Sequence, residues 1–188
     1  MGTVYSRTDP LGEFALRHVD PDGDAELLHG WLTHPKSVYW MMGEASLDDV
    51  RQEFARIAAT PGHDAYLGLH DGQPAFLAER YDPARELRDV YPALPGDAGM
   101  HFLVAPAGRP LHGFTRAVLA TVLDMIFADP DVRRVVVEPD TRNTAVHALN
   151  AEAGFTVVDT VELPGKTAYL SVCPREDHRT PRTTEDAR

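Results

Sequence analysis

Residues 138–155 read EPDTRNTAVHALNAEAGF and bring two carboxylates, Glu138 and Asp140, from the end of an apolar run to the start of a helical pattern. Upstream, His101 stands inside another apolar run, MHFLVAP (100–106). Imidazole changes charge near neutral pH, so a histidine beside a carboxylate can accept a proton from a nucleophile while the carboxylate orients it. Both runs read as strands. RRVVVEP (133–139) is β-branched and suits a buried central strand beside and parallel to 100–106, which lets His101 and Glu138 share a cleft. Gly99 and Leu103 fall on the same strand face as His101. A satisfied core histidine and a strand-end carboxylate is the plainer reading of the same pair. Asp140 and Asn143 read as helix caps, since both residue types accept from orphan backbone N–H groups.

A second chemical feature is LVAPAGRPLHGFTRAVL (103–119), where a strand passes through a short loop into a helix. Backbone N–H groups at such a helix start can bind an anion. Gly113 permits the tight entry, and Arg109 and Arg116 can offset phosphate charge. Nine histidines are present, but none has ligand-like spacing with carboxylates or with the single Cys173, so no metal is expected. Trp31 and Trp40 could wall an acceptor channel or belong to the core. Glu79 and Tyr81 alternate on one strand face, and alternation does not say which face meets the cleft.

These residues need a scaffold, and the patterns supply one. GEFALRHV (12–19) reads as a strand and DGDAELLHGWL (22–32) as a helix. SLDDVRQEFARIAA (46–59) is the clearest helix, with Ser46 to cap it and Leu47, Val50, Phe54 and Ile57 in one stripe. AYLGLH (65–70) and PAFLAERY (74–81) form a hairpin around Asp71-Gly72. GFTRAVLATVLDMIFA (113–128) is a largely apolar helix suited to burial against a sheet, and TAVHALNAEAG (144–154) is a helix stopped by Gly154. FTVVDTVEL and KTAYLSVC close the chain as strands. The class is α/β, a single domain over residues 1–177 with a mixed sheet of about seven strands and about four helices on its faces. The polar stretch from 174 to 188 lacks periodicity and reads as a disordered tail, at least from 178 onward.

Composition narrows the partners. The chain has 188 residues and a formal net charge of −11, which argues against nucleic acid and suits a small cationic ligand. It contains no run of about 18 apolar residues to span a membrane. MGTVYSRTDPLGE carries no apolar signal core, so a cytoplasmic location is expected, as a monomer or weak homodimer.

The order of elements, together with Asn143, Leu149, Gly154 and Phe155 in an NxxxxxLxxxxGF helix, resembles the Gcn5-related N-acetyltransferase (GNAT) family. In that family the loop and helix start cradle the pyrophosphate of an acyl-coenzyme A. The resemblance places Val104, Arg109, Leu111 and His112 along this cradle, followed by Gly113, Phe114 and Thr115. On the later helix it adds Asn143, His147 and Asn150. Of the usual cradle signature this sequence keeps only Gly113, with Pro110 and Thr115 at the other positions. GMHFLVAP, HGFTRAVL, FADPDVRRVVVEPDTRN and HALNAEAGF are further similar to the branch that acylates hydroxylamines in hydroxamate siderophore assembly. The desferrioxamine members of that branch use N-hydroxycadaverine with succinyl- or acetyl-coenzyme A.

The resemblance implies His101 and Glu138 as the active-site pair. A hydroxylamine nitrogen is largely neutral near pH 7, so one histidine suffices as base. Many relatives carry a tyrosine acid where this chain has Asn150, which can only hydrogen-bond. A coenzyme A thiolate leaves without protonation, so the reaction tolerates that change. The acceptor's second ammonium needs a carboxylate, and Glu79, held on a strand, is the candidate within 79–99. Hydroxylated lysine or ornithine is an alternative acceptor, and a non-catalytic acyl-coenzyme A-binding module is an alternative class.

Overall fold

The structure is a computed structural model that describes residues 2–108 and 110–178. Along the chain run β1 (Thr3–Asp9), β2 (Gly12–His18), α1 (Ala25–Leu32), α2 (Leu47–Ala59), β3 (His63–His70) and β4 (Gln73–Tyr81). There follow α3 (Pro83–Glu86), β5 (Asp97–Val104), α4 (Phe114–Phe127), β6 (Arg134–Val137), α5 (Thr144–Ala153), β7 (Thr156–Leu163) and β8 (Lys166–Pro174). Two 3-10 turns cover Pro35–Trp40 and Arg175–Asp177. The strand order is β1-β2-β3-β4-β5-β6-β8-β7, with β5 and β6 parallel and β6, β8 and β7 antiparallel. The class is the expected mixed α/β sheet, with eight strands where about seven were expected. The additional strand is β1, whose TVYSRTD carries no apolar stripe and stays largely exposed.

The chain divides into two compact units, Met1–Glu79 with Phe102–Phe114, and Arg80–His101 with Thr115–Arg188. In the first, α2 forms where the pattern places it. Ser46 accepts from the Asp49 N–H at 3.2 Å, and Asp49 accepts from the Ser46 N–H at 2.8 Å, which is a capping box. Val50, Phe54 and Ile57 are buried in one cluster with Leu28, Leu32, Leu67 and Leu77. Each such side chain contributes roughly 1.5–3 kcal/mol when withdrawn from water. The β3–β4 turn puts Asp71 at φ 48° and Gly72 at φ 77°, the pair of left-handed residues that a two-residue hairpin requires. α1 begins later than expected, at Ala25. Asp24 is drawn into a paired contact with Arg17, 2.7 Å at each oxygen, and makes no side-chain cap.

In the second unit, Val135, Val136 and Val137 of β6 are buried, as a strand covered on both faces should be. α4 buries Ala117, Val118, Val122, Leu123 and Ile126. α5 ends at Gly154, whose φ of 106° only glycine adopts without strain, and whose missing side chain would meet the Asp177 carbonyl at 2.1 Å. Order extends past Pro174. Arg175 donates to the carbonyls of Phe127 at 2.7 Å and Val132 at 2.9 Å, and His178 pairs with Asp124 at 2.7 Å. These part-buried polar contacts correct the expectation of a structureless stretch from residue 174; the rest of that stretch, 179–188, lies outside the described residues. No described helix is long and apolar enough to cross a membrane.

Candidate active site

Parallel pairing of β5 with β6 matches Gly99 to Val136 and brings the residues beyond each into reach of one another. Glu138 follows β6 directly and is 5% exposed, whereas the His101 side chain on β5 is 39% exposed. His101 Nε2 lies 2.6 Å from Glu138 Oε1. With a carboxylate as acceptor, Nε2 carries the proton, and in the neutral ring the lone pair sits on Nδ1. The histidine side chain is thus partly open to solvent and the carboxylate is enclosed.

Two further side chains converge on Glu138. Tyr81, at the end of β4, donates its hydroxyl to Glu138 Oε2 at 2.5 Å. Its ring lies 4.8 Å from the His101 ring and occupies the space over Gly99, where a Cβ would approach it to 2.0 Å. Glycine at 99 is therefore what admits the tyrosine. Lys166, the first residue of β8, donates to the Glu138 carbonyl at 2.7 Å and has its ammonium 3.6 Å from Glu138 Oε1. Burial pushes the Glu138 carboxyl upward, but His101, Lys166 and Tyr81 outweigh it and hold the group down at about 2. Glu138 is thus an anion near neutral pH.

The loop after Glu138 is fixed by Asp140, which accepts from the Arg142 guanidinium at 2.6 and 2.9 Å and from its N–H at 2.8 Å. These bonds hold Asp140 down at about 2. Asp140 therefore organises the turn and does not cap α5. Asn143 is the cap, accepting from the Val146 N–H.

The anticipated cradle residues take varied positions. Gly113 has φ 80° and leads directly into α4, whose first N–H, that of Phe114, donates to the Leu111 carbonyl at 3.1 Å. Phe114 turns inward, its ring 5.5 Å from that of the fully buried Phe14. Val104 is half-buried at the end of β5, Leu111, His112 and Thr115 are exposed, and Arg109 lies outside the described residues. Arg116 pairs with Glu152 of α5. His147 on α5 places Nε2 2.9 Å from the Asp140 carbonyl and its ring edge-on to Tyr169. Asn150 is buried at 5% exposure and not on the surface; its Oδ1 has no hydrogen-bond partner among the described residues.

Residues expected near the acceptor are buried, Trp40 only partly. Trp31 sits in the core of the first unit and Trp40 packs against that core. Glu79 is 6% exposed, with the His63 Nε2 at 3.6 Å. Tyr81, a candidate to face the cleft, is 2% exposed and bonded to Glu138. Cys173 is buried, which pushes its thiol up to about 12 and makes it no nucleophile.

Sequence reasoning missed Lys166 and the part played by Tyr81. One signal was available for the lysine: the chain has only two, Lys36 and Lys166.

Residues 20–163 match the family model described as acetyltransferase (GNAT) domain. A lysine N-acyltransferase, MbtK, of Mycobacterium sp. (strain MCS) is 30% identical over 173 residues, covering 90% of this chain and 70% of that protein. An N-hydroxyputrescine acetyltransferase of Acinetobacter baumannii is 28% identical over 165 residues, covering 87% of this chain and 78% of that protein. Among solved structures, an uncharacterized protein from Bacillus halodurans superposes with a TM-score of 0.86 at 26% identity, over 92% of this chain and 91% of that one.

Proposed function

The chain belongs to the GNAT acetyltransferase family, and on that premise we propose that it acylates an N-hydroxylated diamine to a hydroxamate in siderophore biosynthesis. The acceptor is N-hydroxycadaverine and the donor acetyl- or succinyl-coenzyme A. The observation that carries this reading is the 2.6 Å contact between half-exposed His101 and buried Glu138. Hydroxamate formation needs a neutral nitrogen, a base and a held thioester carbonyl. The hydroxylamine nitrogen attacks the carbonyl carbon, the N–C bond forms and the C–S bond breaks. The nitrogen's proton passes to His101 Nδ1, and coenzyme A departs as its thiolate. Glu138 keeps the ring in the tautomer that makes Nδ1 the base. The N–H groups at the start of α4 receive the donor's pyrophosphate, beside Gly113 and Thr115. Asn143, His147 and Asn150 line the donor side from α5.

The relative named for N-hydroxyputrescine supports a hydroxylated diamine as acceptor. A second reading, a hydroxylated lysine or ornithine, draws on the relative named for lysine. Thiol release measured with N-hydroxycadaverine, N-hydroxyputrescine, N6-hydroxylysine, N5-hydroxyornithine and cadaverine separates them. The first reading expects the highest kcat/KM with N-hydroxycadaverine. A preference for the amino acids moves the assignment to the second.

A further inference from the structure

We propose that Lys166 is a positioning residue for acyl transfer: its ammonium holds the Glu138 carboxylate and through it the orientation of His101. This rests on the reading of His101 as the base. Lys166 lies on β8, far in sequence from the pair it serves, and its side chain is 17% exposed. One N–H goes to the Glu138 backbone carbonyl at 2.7 Å, which fixes the chain where it leaves β6. The charge sits 3.6 Å from Oε1, the same oxygen that meets His101 Nε2 at 2.6 Å. Oε2 is taken by Tyr81 at 2.5 Å, so both carboxylate oxygens are engaged. A buried carboxylate so surrounded cannot rotate away without leaving the imidazole N–H or the tyrosine hydroxyl unbonded and moving its charge from the ammonium.

The groups facing Glu138 are Tyr81 from β4, His101 from β5 and Lys166 from β8. Asp140, just beyond, also feels the lysine and is itself satisfied by Arg142. Lys166 and a protonated His101 are both cations on one carboxylate. The lysine charge therefore competes with a protonated ring for the same carboxylate oxygen. A purely structural lysine would supply the hydrogen bond to the carbonyl and nothing more.

Lys166→Gln separates the two roles, since an amide still donates to the carbonyl but carries no charge; Lys166→Arg keeps both. The first readout is the ring titration of His101 by NMR in the free protein, its signals identified by their loss in His101→Ala. The expected result is a midpoint raised by about one pH unit in Lys166→Gln and unchanged in Lys166→Arg. The second readout is turnover of acetyl-coenzyme A with N-hydroxycadaverine. In Lys166→Gln the acid limb of kcat moves to higher pH by the same amount, with KM within about twofold of the parent. An unmoved midpoint in folded Lys166→Gln overturns the proposal, and so does an Arg variant displaced as far as the Gln one. If the parent protein transfers no acyl group at all, the functional reading fails, while the titration still decides what Lys166 does.

Discussion

A histidine pinned through one ring nitrogen to a buried carboxylate can accept a proton only at the other. His101 and Glu138 are in that relation, so their substitutions have unequal effects. His101→Ala is expected to lower kcat by about two to four powers of ten, as a positioned base contributes that much, and to lower the melting temperature, because it removes a partner of the buried Glu138 carboxylate. Glu138→Gln keeps a hydrogen-bond partner for the ring and costs less. Steady-state kinetics on both folded variants checks the order; equal losses would make Glu138 more than an orienting group. Glu79, enclosed beside His63, offers a separate test as the sequence's candidate anchor for the far ammonium of a diamine. Glu79→Gln is expected to raise KM for N-hydroxycadaverine well above any change for an uncharged N-hydroxyalkylamine of similar length, with kcat nearly unchanged. Equal effects on both acceptors remove Glu79 from the substrate site. The pair His101 and Glu138 was legible in the sequence because a motif and two apolar runs carry them. Lys166 was not, since its role depends on β8 folding back against β6, and strand pairing leaves no mark in local pattern.

Among the elements, α5 bears most on the chemistry. Its start is capped by Asn143, its end is fixed by Gly154, and Asn150 is its one buried residue. Asn150→Ala is expected to lower kcat by about tenfold or less, as loss of one hydrogen bond would. The residue is buried with an oxygen that accepts from no described donor, so the variant's melting temperature should hold. An Asn150 variant as inactive as His101→Ala would show that thiolate departure needs this side chain. The elements with strong local signals, α2 with its capping box and the Asp71-Gly72 hairpin, follow their patterns closely. β1 escaped notice because its residues alternate no apolar face, and α3 because four residues give no helical period. Asp24 stands at the start of α1 without a side-chain cap bond, because pairing with Arg17 is a tertiary contact that takes the same oxygens.

For the whole molecule, a formal net charge of −11 favours small cations over nucleic acid, and it makes acid conditions informative. Glu138 has its pKa held at about 2, below its ordinary 4.5. A carboxyl depressed on folding stabilises the protein above its unfolded pKa and loses that contribution as pH falls through the folded one. Stability should therefore decline between about pH 4.5 and 2, and Glu138→Gln should flatten that decline in urea melts across the range. An unchanged slope would mean that Glu138 is not ionised in the folded state. The central claim is that the exposed histidine, held by a buried anion, deprotonates a hydroxylamine as it attacks an acyl-coenzyme A. The most direct measurement is the initial rate of thiol release from acetyl-coenzyme A near pH 7, with N-hydroxycadaverine and with cadaverine as acceptors. The account predicts release that depends on the hydroxylamine and is far slower with cadaverine, whose amines are protonated at that pH. Equal rates with both acceptors, or no release above the acceptor-free background, would contradict it.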